Sequence, residues 1–396
     1  MKILYISYCT PYTRAFHAGG QTFNYYIRKM ACQQNAEVDL ISFCGPEEVE
    51  NVDLADEGIC THLVIRPRGV RRLFGRIVSI NSKYNPCHKY CTMMTTYSVK
   101  MMLDRIKKLK HKGYIPDVIV LEWTQILLMI SEIKAIYPNA RYIASEHDVT
   151  FLGMQRKVEH EQRILAGIYK RLRFKNTRKR ELVCLNQCDF VFAHNNKDYE
   201  LLISEGINRE KAGFIVPFYH KSGMEHKRKN NNILFFGHMG RMENITAAIW
   251  FVERVMPKLS DLPCQFHIIG GGAAEELRKF ASEKVKIAGF VESIDQYFSE
   301  ALCFVSPLIY GAGIKVKVIE ALYSGITVLT NRVGIEGIPV KDGEDYYHCE
   351  EPEEYIETIR GLFAGSLPEL NARQAIITDF SMETAFSNYR KIILDN

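Results

Sequence analysis

The sequence YGAGIKVKVIEALYSGITVLTN, from Tyr310 to Asn331, has the pattern of a loop, a helix and a strand in quick succession. The preceding run LCFVSPLIY is typical of a strand that ends at Pro307, and the helical pattern runs from about Lys315 to Gly325, a natural C-terminal residue. The loop glycines therefore deliver bare backbone N–H groups at a helix N-terminus and at the carboxyl edge of a parallel sheet. Ligands bind at this edge of open α/β sheets, and helix N-termini favour anions.

Charged residues at this junction favour a nucleoside diphosphate as the ligand. Lys315 and Lys317 add positive charge beside the amides, which favours phosphate. Glu320 follows Lys317 by one helical turn, and a carboxylate can accept the two hydrogen bonds that a ribose diol donates. The alternative is a solvated helix start, in which Lys317 and Glu320 form a surface ion pair worth less than about 1 kcal/mol.

Strand-like and helix-like segments alternate on both sides of a polar linker that lacks apolar periodicity. Such alternation favours parallel sheets joined by right-handed crossovers. Glycine-rich turns follow the first strand of each half, at Gly19 and Gly20 and at Gly237. We therefore predict four parts, which are a first domain over 1–216, a linker over 217–231, a second domain over 232–376 and a final amphipathic helix over 377–396.

The composition is that of an ordinary globular protein. The 396 residues are 47% hydrophobic and 24% charged, and no apolar run approaches the roughly 20 residues that span a bilayer. The eleven cysteines form no C-x-x-C pair, which favours free thiols in a reducing cytosol. The run CHKYC, at 87–91, lacks a second ligand cluster with zinc spacing, so ordinary thiols are favoured there over a metal site.

Positive charge is concentrated from Arg156 to Arg180, where ten lysines and arginines oppose two glutamates. The net charge of this segment is +8. Since the net charge of the whole chain is +5, the rest of the chain carries about −3. No nucleic-acid module surrounds it, so we expect contact with an anionic membrane surface and not with nucleic acid. The alternative is that its helical apolar stripe is core and its cations form a solvated face. The stripe consists of Ile164, Leu165, Ile168, Tyr169 and Leu172. The run RPRGVRRLFGR, 66–76, extends the basic surface.

The chain resembles the retaining glycosyltransferases of the GT-B fold, specifically family 4. The likeness covers nearly the whole chain and is most specific in ILFFGHMGRMENITAAIW, FHIIGGG and the run from KIAGFV through the opening stretch. It implies an α/β fold of two Rossmann-like domains facing each other across a cleft, with a C-terminal helix that crosses back to the first domain. It also implies a hexosyltransferase-type enzyme. Such an enzyme moves a sugar from a nucleotide-diphosphate-sugar donor to a glycan or lipid-linked glycan acceptor, in surface polysaccharide biosynthesis.

The resemblance assigns roles to individual residues. Glu320 holds the donor ribose, and the loop before it embraces the pyrophosphate and sugar. Val291 meets the base, and His147 lies near the donor sugar, although such a histidine is by itself more often structural. The donor-binding residues expected in this way are Gly19, Gly20, Gly237, Arg241, Val291, Gly311, Gly313, Ile314, Lys315, Lys317 and Glu320, and the catalytic residues are His147 and Lys315.

The sequence also departs from the family pattern. Many members have a glutamate where this chain has Ala312, and a lysine that GHMGRMENIT lacks after its Arg241. We expect Lys315 or Lys317 to neutralise the phosphates instead. No Asp-x-Asp motif is present, so neither a metal nor another cofactor is expected.

Two alternatives stay open, a sugar-nucleotide epimerase or hydrolase of the same fold and a non-catalytic sugar-nucleotide-binding scaffold. Ala312, in place of the usual glutamate, is compatible with a non-catalytic scaffold. The presence of Glu320 and the two lysines argues against that alternative. The expected location is the cytoplasm, with peripheral attachment to the inner face of the plasma membrane as an extension of the membrane hypothesis.

Overall fold

The computed structural model describes residues 1–13, 18–272, 275–311 and 313–395. The chain divides into two compact units. The first comprises Met1–Phe218 together with Met382–Asn396, and the second comprises Tyr219–Ser381.

The first unit is built on a parallel sheet. Its strands are β1 Lys2–Ser7, β2 Glu37–Cys44, β3 Cys60–Ile65, β4 Val118–Glu122, β5 Arg141–Glu146, β6 Phe190–Ala193 and β7 Ala212–Phe214. They lie in the order β3-β2-β1-β4-β5-β6-β7, and all neighbours pair in parallel. The strand order reverses between β1 and β4, which is the topological switch point at which such sheets bind ligands.

Helices cover both faces of this sheet. They are α1 Ala18–Ala31, α2 Gly69–Val78, α3 Ile80–Tyr84, α4 Thr96–His111, α5 Thr124–Leu127, α6 Ile130–Ile136, α7 Thr150–Glu159, α8 Ile164–Leu185 and α9 Asn196–Ser204. Because side chains alternate along a strand, Leu4 and Ile6 of β1 pack in one core, and Ile3 and Tyr5 pack in the other. No helix in the described ranges is both long and apolar enough to span a membrane.

The second unit repeats the scheme with a smaller sheet. Its strands are β8 Ile233–Phe236, β9 Phe266–Ile269, β10 Val285–Gly289, β11 Cys303–Ser306, β12 Val328–Thr330 and β13 Tyr347–His348, in the order β10-β9-β8-β11-β12-β13. Its helices are α10 Met242–Arg254, α11 Glu275–Arg278, α12 Asp295–Glu300, α13 Val316–Ser324, α14 Pro352–Ala364 and α15 Arg373–Asp379. The switch point of this sheet lies between β8 and β11.

The last helix, α16 Met382–Leu394, belongs to the first unit. The ring of Tyr389 packs 4.9 Å from that of Tyr26 and 5.0 Å from that of Phe192, and its hydroxyl lies 3.2 Å from that of Tyr5. The sequence prediction of two Rossmann-like units with a C-terminal helix that returns to the first is therefore confirmed.

Candidate functional site

The loop before α13 has the glycine-dependent conformation that the opening stretch of sequence predicts. Gly311 has a φ of 137° and Gly313 a φ of 69°, values that residues with a Cβ rarely adopt. Lys315 is the N-cap residue of α13, and Gly325 ends the helix in the left-handed conformation. The predicted helix from Lys315 to Gly325 is thus confirmed, whereas Ala312 lies outside the described residues.

Lys315 lies under this loop and is buried. Its Nζ donates to the carbonyl oxygen of Gly313 and lies 3.8 Å from Oε2 of Glu336, which is also buried. Sequence reasoning did not single out Glu336, which follows β12 in the run VGIEGIP. The Lys315 ammonium therefore has a carboxylate partner within the protein and also holds the backbone of the glycine loop.

Lys317 has a different environment, because its partner is neutral. Its Nζ donates to Oδ1 of Asn244 at 2.6 Å and lies 4.4 Å from the ring centroid of Phe235. Burial lowers the pKa of Lys317 to about 7, and the positive charges of Lys315 and Arg241 lower it further in the same direction. An anion bound beside Lys317 would restore its charge, so this ammonium is suited to phosphate.

Gly237 is brought next to Lys317 through Asn244. The amide of Asn244 donates to the carbonyl oxygen of His238, and a Cβ on Gly237 would meet the Asn244 side chain at 2.8 Å. A Cβ on Gly270 would approach the Gly237 carbonyl oxygen to 1.8 Å, so the loops after β8 and β9 pack backbone against backbone. Glycine is therefore required here for close packing at the carboxyl edge of the sheet.

Glu320 and Lys317 do not form the surface ion pair that we considered as the alternative. Oε1 of Glu320 accepts a hydrogen bond from the backbone N–H of His220 at 3.0 Å, while Lys317 is bonded to Asn244. Burial raises the pKa of Glu320 to about 7, and the hydrogen bond from His220 opposes this shift. A carboxylate that is partly buried at the edge of a site gains from further donors, such as sugar hydroxyls.

The remaining predicted residues of the second unit are Arg241, Val291 and Ile314. Arg241 is the N-cap residue of α10, and its side chain is 62% exposed and 3.8 Å from Glu243. Val291 lies in the loop between β10 and α12, and Ile314 directly precedes Lys315, both partly buried. Their roles in donor binding stay predictions.

His147 lies in the first unit, directly after β5, with Gly19 against it. Its Nε2 is 2.8 Å from Oε2 of Glu122, and both side chains are buried. Its ring stacks on Trp123 at a centroid distance of 4.0 Å and an interplanar angle of 6°. A Cβ on Gly19 would lie 3.3 Å from both His147 Nδ1 and the Trp123 ring, so the start of α1 touches this pair. Gly20 is the buried third residue of the same helix. The predicted glycine turn at Gly19 and Gly20 is therefore wrong, because both glycines lie in the first turn of α1, where they allow close packing of the helix start.

Glu122, Trp123 and His194 are site residues that sequence reasoning missed. Burial raises the pKa of Glu122 to about 8. Burial also holds the pKa of His194 well below its ordinary value, and the charge of His147 lowers the pKa of His194 further. Trp123 has a φ of 69°, which is strained for a bulky residue and persists only where its surroundings impose it. The signal that could have found Glu122 and Trp123 is the run LEW, and that for His194 is the run FAHN, each at the carboxyl end of a predicted strand.

The first unit also has a cavity of about 390 Å³ along one face of α1. Its lining includes Gln21, Asn24, Tyr25 and Phe218, with Arg28 at one side. The Tyr25 hydroxyl is buried and has no hydrogen-bond partner among the described residues, while Arg28 is paired with Asp53 and Glu57. An aromatic ring with an unsatisfied hydroxyl, beside amide side chains, can hold a polyhydroxylated ligand.

Known proteins share parts of this sequence. Residues 230–364 match the family described as glycosyl transferases group 1. An uncharacterised 44.6 kDa protein in the cps region of Klebsiella pneumoniae is 26% identical over 126 residues, which is 29% of this chain and 32% of that protein. The chain therefore aligns with about a third of the length of this curated relative.

Solved structures share the fold over the full chain. HepE of Anabaena in complex with UDP has a TM-score of 0.69 at 13% identity, with 100% of both chains covered. Sucrose-phosphate synthase of Thermosynechococcus elongatus has the same score at 14% identity and the same coverage. The lipopolysaccharide outer core galactosyltransferase WaaB scores 0.64 at 13% identity and is covered to 99%. The chain therefore has the GT-B fold, and the match of residues 230–364 to the group 1 glycosyl transferases supports a transferase.

Proposed function

We propose that the chain is a retaining glycosyltransferase of family 4. It would move a sugar from a nucleotide-diphosphate-sugar donor to a glycan or lipid-linked glycan acceptor in surface polysaccharide biosynthesis. The observation that carries the proposal is the placement of Lys317 and Glu320 in the first two turns of one helix, α13, shortly after the positive-φ glycines Gly311 and Gly313. Solved relatives of the same fold hold UDP-glucose in one case and UDP in another, and the Klebsiella relative is described by its cps region.

The chemical demand of the transfer is to stabilise the departing diphosphate. The N-terminus of α13 and the ammonium group of Lys315 offer positive charge for this purpose, and Lys317 would gain its full charge when the diphosphate binds. Because these groups can neutralise the diphosphate and the sequence has no Asp-x-Asp motif, we propose transfer without a metal or other cofactor. Lys315, paired with Glu336, would chiefly hold the loop in place, and Lys317 would meet phosphate.

His147 is proposed to serve the transfer in the first unit. The Glu122 carboxylate fixes one ring nitrogen, and Trp123 and Gly19 confine the ring on its sides. Glu122 is thus proposed as a positioning residue, which acts through the imidazole. The acceptor is proposed to bind the first unit as well, and the cavity along α1 with its unsatisfied Tyr25 hydroxyl supports a polyhydroxylated ligand there.

Contact between the first unit and an anionic membrane, from the cytoplasmic side, is a further part of the proposal. The apolar stripe in 156–180 is not core, because Ile164 is 80% and Leu165 83% exposed beside their cationic neighbours. Helix α2 is similar, with an 83% exposed Val70 and a 58% exposed Phe74 next to arginines. Exposed apolar side chains flanked by cations are typical of helices that lie in a membrane interface.

The donor site is tested by nucleotide-dependent thermal stabilisation. Wild type, Glu320→Ala and the control Glu253→Ala, which changes an exposed glutamate of α10, are heated with UDP, GDP, ADP, TDP and their common sugar conjugates. A ligand at 100 times its Kd stabilises a protein by about 2.7 kcal/mol. We expect one base to stabilise wild type and the control but not Glu320→Ala; no shift with any nucleotide would overturn the donor site.

Turnover then separates the alternatives. With the stabilising nucleotide-sugar, a transferase consumes donor in proportion to added glycan acceptor. An epimerase or hydrolase consumes it without acceptor, and a scaffold binds it without turnover.

A further inference from the structure

A second group of chemically active side chains lies in the first unit, at the amino ends of β2 and β3. These strands pair in parallel with Asp39 opposite Cys60 and Ile41 opposite His62. Paired residues of neighbouring strands point to the same face, and so do residues two apart along one strand. The pairing therefore places the side chains of Asp39, Cys60 and His62 on one face of the sheet.

The ligand atoms of these three side chains are already close together. Nε2 of His62 is 2.7 Å from Oδ1 of Asp39 and 3.7 Å from Sγ of Cys60, and all three atoms lie within 4.8 Å of one another. Tetrahedral zinc, with bonds of about 2.0 to 2.3 Å, has ligand atoms about 3.3 to 3.8 Å apart. The Cys60–His62 separation already has this value, and a small movement of the His62 ring would open the contact with Asp39.

We propose that Asp39, Cys60 and His62 form a binding site for Zn²⁺, with solvent in the fourth position. Carboxylate oxygen, thiolate sulfur and imidazole nitrogen are the three ligand types that zinc prefers, and one carboxylate and one thiolate balance its two charges. Among the described residues this is also the one group of histidine, cysteine and acidic side chains whose ligand atoms are gathered in this way. The ligand atoms of the run CHKYC, which lies within the described residues, are not gathered in this way.

The surroundings of the three residues are consistent with a bound cation. The Tyr114 hydroxyl is buried and lies close to Asp39, and its interaction with the Asp39 carboxylate adds to the effect of burial in raising the pKa of Tyr114. It can donate to the Asp39 carboxylate once zinc replaces His62 as partner, as outer-shell groups of metal sites commonly do. Zinc binding would replace the proton of the Cys60 thiol, and that proton would pass to solvent.

The site is independent of the proposed transfer, because β2 and β3 contribute these residues at their amino ends, whereas His147 follows the carboxyl end of β5. It is accessible, since the Cys60 thiol is exposed and the His62 side chain is 19% exposed. The zinc would tie the edge strand β3 to β2, which gives it a stabilising role in the first unit.

The experiment titrates the reduced, metal-free full-length protein with Co²⁺ in the absence of nucleotide, and repeats the titration with Cys60→Ser and His62→Gln. The control Cys87→Ser removes another exposed cysteine. We expect wild type and control to develop, at one equivalent, tetrahedral ligand-field bands and a thiolate-to-cobalt charge-transfer band that Zn²⁺ abolishes. The charge-transfer band should be absent in Cys60→Ser, and Co²⁺ affinity should fall at least about 100-fold in His62→Gln, because even outer-shell changes cost 10- to 100-fold.

A charge-transfer band that persists in Cys60→Ser, or its absence in wild type at millimolar Co²⁺, would overturn the site. Zn²⁺ should also raise the Tm of wild type and of Cys87→Ser but not that of Cys60→Ser. Since Cys60 is exposed at the start of an edge strand, circular dichroism should show an unchanged fold in that variant.

Discussion

Lys315 and Lys317 are two residues apart, yet their electrostatic surroundings differ. Lys315 lies 3.8 Å from the buried carboxylate of Glu336, whereas Lys317 is bonded to the neutral amide of Asn244. The charge of Lys315 is thus compensated within the protein, and that of Lys317 is penalised by burial. A diphosphate would gain more from Lys317, because it supplies the counter-charge that the protein withholds.

This difference predicts a pH-dependent donor affinity. The pKa of Lys317 is about 7 without ligand, and a bound anion raises it, so binding takes up a proton above pH 7. Affinity for a nucleotide-sugar, whose diphosphate does not titrate between pH 6 and 9, should therefore be greatest below pH 7. It should fall by up to about tenfold per pH unit above it.

Isothermal titration calorimetry in buffers of different ionisation enthalpy measures both the affinity and the proton uptake. In Lys317→Met the affinity should be about 10- to 100-fold lower at pH 6.5 and should no longer fall as the pH rises above 7. If the variant kept the slope of wild type, Lys317 would not be the phosphate ligand.

Glu122 gives a second prediction for a single residue. Replacing Glu122 by Gln removes the carboxylate that fixes the His147 imidazole, so kcat should fall by about 10- to 100-fold with KM changed by less than about threefold. The matched control is Glu146→Gln. Glu146 directly precedes His147 in the sequence and is also buried, but its carboxyl group accepts a hydrogen bond from Thr124. Steady-state kinetics with the identified donor should show the loss in the first variant alone; an equal loss in both would indicate a structural role.

At the scale of elements, α8 explains why periodicity alone did not locate the core. Its first turns present the apolar stripe to solvent, while Thr177, Glu181 and Leu185 in its second half are buried. Glu181 accepts hydrogen bonds from the backbone N–H groups of Thr150 and Phe151, and so caps α7. The apolar period is the same whether a helix faces protein or a membrane, so the sequence could not choose between them.

The exposed stripe predicts binding to anionic vesicles. Leu165→Glu places a negative charge at an 83% exposed position and should weaken binding to phosphatidylglycerol vesicles by about tenfold, since it loses apolar contact and gains repulsion. Ile115→Glu makes the same change at a 70% exposed position outside this segment and is the control. Vesicle co-sedimentation should show weaker binding for the first variant only, and none of the proteins should bind pure phosphatidylcholine strongly. Equal binding by both variants would exclude the stripe as the contact surface.

The order of strands and helices in the molecule could be predicted from the sequence. The side-chain pairs within each candidate site could not. The helix after the Gly311–Gly313 loop could be predicted because its signals are local. The bond between Lys317 and Asn244 joins residues 73 apart, and Glu336 reaches Lys315 from beyond β12. Such pairs are set by the strand order of the sheet, which a single sequence does not encode in any short pattern.

Tyr389 tests the assignment of α16 to the first unit. It is fully buried, and truncation to alanine should lower the stability of the first unit by about 3 to 5 kcal/mol, whereas Tyr389→Phe should cost about 1 kcal/mol through the lost contact with the Tyr5 hydroxyl. The chain has two tryptophans, Trp123 in the first unit and Trp250 in the second. In a Trp250→Phe background, denaturant unfolding followed by fluorescence reports on the first unit. An unchanged midpoint for Tyr389→Ala would contradict this packing.

The first unit is built from two segments that are separated in the sequence, and this has a consequence for folding during synthesis on the ribosome. Residues Tyr219–Ser381 are complete before Met382–Leu394 leave the ribosome, although the first unit begins at Met1. The second unit can therefore reach its native state first. Until Tyr389 is synthesised, the side chains of Tyr5 and Tyr26 lack their contact with it. During translation the nascent first unit consequently exposes an apolar patch for longer than its place in the sequence would suggest, and a chaperone that recognises aromatic side chains has its longest opportunity there.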